Sequence, residues 1–182
     1  MRPVKAARTP LKVYITIDTE VWPHVSRWRE SRLAEDIDRD IFGQAAGRSS
    51  GLEVQLQMFQ AEGLKAIFFV EPFSSVIAGI DFLRRTVGKI HDCGQDVQAH
   101  PHTEWLQWTE ASPLKGKTGQ HLRSFSLADQ VTLIRWALSL LADAGAPNVR
   151  ALQGDAFGSG KFPPPSAGPV LWPAAFTVHD DA

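Results

Sequence analysis

The apolar residues of this chain fall into short unbroken runs, separated by stretches with helical spacing. Residues 11–17 (LKVYITI), 66–70 (AIFFV) and 96–99 (DVQA) are brief runs with β-branched, aromatic or small residues, and they read as buried strands. Residues 149–152 (VRAL) read as a fourth. Between the first two, Leu52, Leu56 and Phe59 recur at helical spacing, Val54 and Met58 widen the stripe, and Gly63 suits the position after a helix end. That predicts a helix over 52–62. A second helix is predicted over 81–93, with Phe82, Val87 and Ile90 inward and Gly94 as its stop. The strongest helix opens at Ser126, with Asp129 three residues on in a capping-box arrangement. Leu127, Val131, Ile134, Leu138 and Leu141 form its predicted core stripe, and Gly145 and Pro147 end it. Residues 21–51 show no clean period and read as a long functional loop with one helical segment near 32–41.

The order is strand, loop and helix, strand, helix, strand, loop and helix, strand. Such alternation argues for parallel β-α units with the helices outside. In sheets of that kind ligands gather at the carboxyl ends of the strands. Asp18 follows the first apolar run and His100 follows the third. The expected organisation is a short N-terminal extension over 1–10, one α/β domain over 11–153, and a proline-rich tail over 154–182. The tail holds Pro163, Pro164, Pro165, Pro169 and Pro173, which excludes a regular helix or central strand there.

Composition narrows the class. At 182 residues the chain fits one domain, and 43% hydrophobic with 21% charged residues is the balance of a soluble globular protein. A net charge of −1 supplies no field for nucleic acid or an anionic membrane, so neither is expected as a partner. The single cysteine, Cys93, excludes an internal disulfide and reads as a packing residue. With no apolar core behind the basic first ten residues and no span long enough for a bilayer, the expected location is the cytoplasm.

The chemistry concentrates in two places. VQAHPHTEW puts His100, His102 and Glu104 within five residues, directly after a strand. Imidazole and carboxylate together are ligands for a divalent metal, zinc ahead of iron, cobalt or manganese. VYITIDTE supplies Asp18 and Glu20, two apart and so on one side of an extended chain. One acid can ligate the metal while the other acts as general base on water. Trp22, Trp105 and Trp108 flank these segments, and aromatic faces beside such a pocket suit sugar rings as well as a core. There is no G-x-S-x-G elbow, Walker A loop or G-x-G-x-x-G after a strand, which argues against a serine hydrolase and a nucleotide-binding fold.

From about residue 11 to residue 150 the chain resembles the polysaccharide deacetylases of the NodB-homology type, carbohydrate esterase family 4. ITIDTE resembles the family's first motif, AIFFVEP its second strand, and GQDVQAHPHTE its H-x-x-x-H motif. The resemblance implies Asp18 as catalytic base and Glu20 as acidic metal ligand, with an exchange of these two roles left open, and His100 as the first histidine ligand. Glu104 stands in the register of the second histidine and His102 is an extra candidate on the same segment, so the second ligand stays open between them. Arg150, in VRALQGDAFGSG, stands where the family carries an arginine that orients the base, and joins Trp22 and Trp105 as a substrate-side residue. The family's late Leu-x-His motif, which carries the general acid, has no match in the tail. The resemblance therefore implies a partial, irregular (β/α) barrel with parallel strands and outer helices, its end truncated or divergent. It implies zinc-dependent removal of acyl groups from amide nitrogens of a carbohydrate polymer. Two alternatives stay open: a non-catalytic metal- or glycan-binding remnant, and an amidohydrolase on a non-sugar C–N bond. An unclosed sheet edge adds the expectation of a homodimer.

Overall fold

The computed structural model describes residues 12–21, 33–45 and 48–154. Trp22 and the proline-rich tail after residue 154 lie outside the described residues. The fold is mixed α/β. Strand β1 (Ile15–Thr19), β4 (Ala66–Val70) and β5 (Asp96–Ala99) form a parallel sheet in the order β1-β4-β5. A small antiparallel hairpin, β2 (Gln44–Ala45) and β3 (Arg48–Ser49), lies between β1 and β4 in the chain. Around them run α1 (Leu33–Asp40), α2 (Leu52–Ala61), α3 (Ser75–Ala78), α4 (Ile80–Asp92) and α5 (Leu127–Asp143).

The central strand β4 explains the sheet. Ala66, Phe68 and Val70 are buried and Ile67 and Phe69 are half-buried, so both of its faces are covered. That is why AIFFV is apolar throughout, as strands of parallel sheets are. The fourth predicted strand is reduced to one parallel bridge, Ala99 to Leu152, flanked by backbone hydrogen bonds Ala99 N to Ala151 O (3.2 Å) and Gln153 N to Ala99 O (2.9 Å). Gln98 fixes this connection. Its Oε1 accepts from the backbone N–H groups of Arg150 (2.7 Å) and Ala151 (2.6 Å).

Three expectations about elements change. The first strand begins at Ile15 instead of residue 11 and runs on through Asp18 to Thr19, because its ladder with β4 runs from Ile15–Ala66 to Thr19–Val70. On α2, Leu52 and Leu56 are buried while Met58 is 61% exposed, so the stripe is narrower than expected. On α5 the buried positions are Leu133, Ala137 and Leu141, whereas Leu127 and Val131 are exposed. That helix carries apolar residues nearly all round, so spacing alone cannot choose the face that packs. Its start behaves as expected. The Ser126 hydroxyl accepts from Asp129 N (3.2 Å) and donates to Asp129 Oδ2 (2.8 Å), closing the N-terminal turn.

Phe68, Phe73, Leu83, Ile90, Trp105 and Leu141 are among the most deeply buried side chains of a single core. Gly43 makes a close crossing possible. At φ 62° it sits against Gly51, and a Cβ there would lie 2.0 Å from Gly51 N, so no other residue fits. The crossing brings the start of α2 beside the end of β1. Among the described residues no helix is long and apolar enough to cross a membrane.

Candidate metal centre

The sheet register assembles the site. Thr19, Val70 and Ala99 stand side by side across the three strands, and Ala99 bridges to Leu152. The next residue of each segment is Glu20, Glu71, His100 and Gln153. Four polar groups thus leave the carboxyl edge of the sheet together, where parallel sheets place their ligands. The ladder continues one step into this row, with Glu71 N donating to Thr19 O and His100 N to Val70 O, both at 3.0 Å.

Glu20, His100 and His102 converge. His100 Nε2 lies 3.2 Å from Glu20 Oε2 and 3.1 Å from His102 Nε2, and His102 Nε2 also contacts Glu20 Oε2. Both histidines are buried, at 3% and 2% exposure. The opposite ring nitrogens explain which lone pairs face inward. His100 Nδ1 is 3.1 Å from the carbonyl oxygen of Gln153, which can only accept, so Nδ1 carries a proton and in the neutral ring Nε2 is then bare. His102 Nδ1 lies 3.4 Å from Glu104 Oε2, close enough for charge attraction but without the alignment of a hydrogen bond. With both rings neutral and carrying their proton on Nδ1, two nitrogen lone pairs and a carboxylate oxygen point at one another with no proton among them. A cation satisfies all three; otherwise a ring must take up a second proton.

Two of the three ligand-atom separations fit a metal, and the third, between His102 Nε2 and Glu20 Oε2, is closer than two ligands of one ion stand. Tetrahedral zinc with bonds of ~2.0–2.1 Å separates its ligand atoms by about 3.3 Å. The separations of 3.1 and 3.2 Å are close to that. These three residues form the one group among the described residues whose ligand atoms lie within 4.8 Å of one another. Three protein ligands leave a position for water or substrate.

Electrostatics follow the same contacts. Burial alone would push the Glu20 carboxyl up, but hydrogen bonding and charge from His100 and His102 outweigh it and hold the group at about 2. Burial alone would lower His100; the Glu20 carboxylate and the Gln153 carbonyl outweigh it, and the ring lies above its usual 6.5. Glu71 is the opposite case. Burial pushes its carboxyl up, more than the charge of His102 and the neighbouring N–H groups pull it down. Glu71 Oε1 accepts from Phe73 N (2.7 Å) and His102 N (3.3 Å), and Oε2 accepts from Ser74 N (2.7 Å). It ties the turn after β4 to the backbone of His102.

Asp18 is exposed and lies outside the cluster. Its Oδ2 accepts from Gln153 Nε2 at 2.9 Å. Gln153 therefore serves both halves of the site, its amide holding Asp18 and its carbonyl holding His100. Beside Asp18 and Glu20 lies a cavity of about 210 Å³, also lined by Arg39, Asp40, Ser50 and Gln55. It borders the acidic half of the site, and neither histidine lines it.

The remaining sequence candidates fall as follows. His102 enters the cluster and Glu104 stands behind it, on the far side of the ring from the convergence point. The Trp105 ring has no exposed surface, which places it in the core and not on a face open to a sugar. Arg150 is exposed, and the side chain that touches Asp18 is that of Gln153. Trp22 lies outside the described residues. Reading the sequence passes over Glu71 and Gln153. For Glu71 a signal exists: an acid directly after a buried parallel strand, in the position Glu20 holds after β1. Gln153 is a neutral amide in no motif and carries no such signal.

Compared with known proteins, the chain matches no family model, no curated protein and no solved structure.

Proposed function

We propose that this protein is a metal-dependent hydrolase that removes acyl groups, acetyl above all, from amide nitrogens of a carbohydrate polymer. The observation that carries the reading is the convergence of Glu20 Oε2, His100 Nε2 and His102 Nε2, with a separate carboxylate, Asp18, on the same strand end. The sheet grows by successive addition on one side of β1, as a (β/α) barrel begins, and we take the fold as a partial barrel of the deacetylase type.

Glu20, His100 and His102 would hold a divalent ion, zinc first, because a carboxylate and two imidazoles suit it best. When bound, the ion supplies Lewis acidity toward water and a substrate carbonyl. Asp18 acts as general base. It is exposed, so it reaches water and substrate, and the Gln153 amide fixes its carboxylate in one orientation. The proton that Asp18 takes from water is the one the departing amine nitrogen requires. The cavity beside Asp18 and Glu20 is polar and open to a hydrated substrate.

The test is acetate release from an N-acetylated glucosamine oligomer by metal-loaded protein, against the same protein treated with chelator. Metal-dependent release supports the reading. Protein that binds metal and hydrolyses no N-acyl sugar would instead be a metal- or glycan-binding relative or an amidohydrolase on another C–N bond, and a panel of non-sugar amides separates those two.

A further inference from the structure

We propose that Gln153 is the positioning residue of the base: its side-chain amide holds Oδ2 of Asp18 and leaves Oδ1 as the oxygen that takes the proton from water. The inference rests on the reading of Asp18 as general base and deepens it, since it names the reacting oxygen and the residue that aims it. Gln153 Nε2 donates to Asp18 Oδ2 at 2.9 Å. A carboxylate only accepts, so the NH2 side of the amide faces it. Among the described residues no hydrogen bond reaches Asp18 Oδ1. The two oxygens of an otherwise symmetric group are thereby made unequal. Water gives its proton to Oδ1, its oxygen joins the acyl carbon, and that proton leaves with the amine nitrogen as the C–N bond breaks.

The main chain fixes where the amide stands. Gln153 N donates to Ala99 O at 2.9 Å, and Ala99 N donates to Ala151 O at 3.2 Å. One step back, Gln98 Oε1 accepts from Arg150 N at 2.7 Å and from Ala151 N at 2.6 Å. Asp18 is held in turn by the ladder of β1 with β4, opposite Phe69. The contact therefore joins two anchored segments 135 residues apart in sequence. An exposed carboxylate without a partner turns among its rotamers. The amide removes that freedom before substrate arrives, which is how a positioned group lowers a barrier. The carbonyl of Gln153, by contrast, meets His100 Nδ1 through the main chain, at 3.1 Å. A change of the Gln153 side chain thus releases Asp18 and leaves the His100 contact in place, so the role separates from metal binding.

The experiment compares wild type, Gln153→Leu and Gln153→Glu. Gln153→Leu removes the donor without adding charge, and Gln153→Glu keeps the outline of the side chain without the N–H groups. The readouts are bound zinc, kcat and KM for acetate release from an N-acetylated glucosamine oligomer, and the ¹H and ¹⁵N shifts of the Gln153 side-chain amide in metal-free wild type against Asp18→Ala. Both Gln153 variants should keep their zinc. Their kcat should fall on the order of 10²-fold, the cost of a misplaced reacting group, with KM nearly unchanged. The amide shifts should move in Asp18→Ala. Wild-type kcat in Gln153→Leu overturns the proposal. So does full activity in Gln153→Glu, which would make shape and not the donor the reason for the residue, and so does loss of zinc in both variants, which would make Gln153 a prop of the metal centre. Should Gln153→Leu fail to fold, Gln153→Glu and the amide shifts decide. If wild type binds zinc and releases no acetate, the deacetylase reading fails by itself. Amide shifts that ignore Asp18→Ala then overturn the hold on Asp18 as well, and shifts that follow it uphold that hold.

Discussion

Glu71 accepts three backbone N–H groups from inside the core, so its removal strands all three. An unsatisfied buried donor costs ~1–3 kcal/mol, and Glu71→Leu should therefore destabilise the fold by at least about 3 kcal/mol, readable in urea unfolding. A loss below about 1 kcal/mol would mean that water replaces the carboxylate and that the turn does not depend on it. The site residues also set a pH dependence. Glu20 is depressed from its usual 4.5 to about 2, so its contribution is complete above 4.5 and is lost as pH falls toward 2. His100 is raised above 6.5, so its contribution is complete below 6.5 and is lost as pH rises past it. Glu71, also raised, holds its proton more tightly when folded, so its contribution is complete below 4.5 and is lost as pH rises past it. Glu20 and His100 alone would place the stability maximum of metal-free protein between pH 4.5 and 6.5, and Glu71 draws it toward the acid end of that window. Zinc needs neutral rings, so the gap in melting temperature between zinc-loaded and chelator-treated protein should widen as pH rises. A gap that narrows toward alkaline pH would remove the histidines from the ion's coordination.

At the scale of elements, the hydrophobic pattern shows where strands lie better than which side of a helix packs. The β4 and β5 bounds are readable at the residue level because AIFFV is an unbroken apolar run ending at Glu71-Pro72, and DVQA is a short stretch confined between Gly94 and Pro101. The face of α5 was not readable, since Leu127, Val131, Leu133 and Leu141 offer several stripes and only the neighbouring layer selects one. The structure selects Leu133, Ala137 and Leu141. Leu141→Ala should cost ~2–5 kcal/mol and Val131→Ala less than about 1 kcal/mol. Chemical denaturation of both variants checks the phase of the helix, and a reversed order would mean α5 packs through its other face. The site was partly legible for the same reason as the strands. D-T-E and H-P-H-T-E sit where apolar runs stop, and the register then brings Glu20, His100 and His102 together. The choice between His102 and Glu104 depends on ring orientation, and no spacing rule contains that.

The whole molecule raises a question of edges. Among the described residues no strand pairs with the outer edge of β1, and Val13 just before it is 76% exposed. Open parallel edges invite pairing with a second copy. We expect concentration-dependent self-association in sedimentation velocity, and Thr16→Lys, a charge placed on that exposed edge strand, should shift the balance to monomer. Wild type that remains monomeric at high concentration would show that the edge is covered. Nothing at this scale, however, decides the account as directly as the ion itself. The central claim is that Glu20, His100 and His102 hold one divalent metal while Asp18 does not. Elemental analysis of zinc-dialysed protein should find about one ion per chain in wild type and in Asp18→Asn, and none in His100→Ala or His102→Ala. An ion absent from wild type, or retained by both histidine variants, would contradict it.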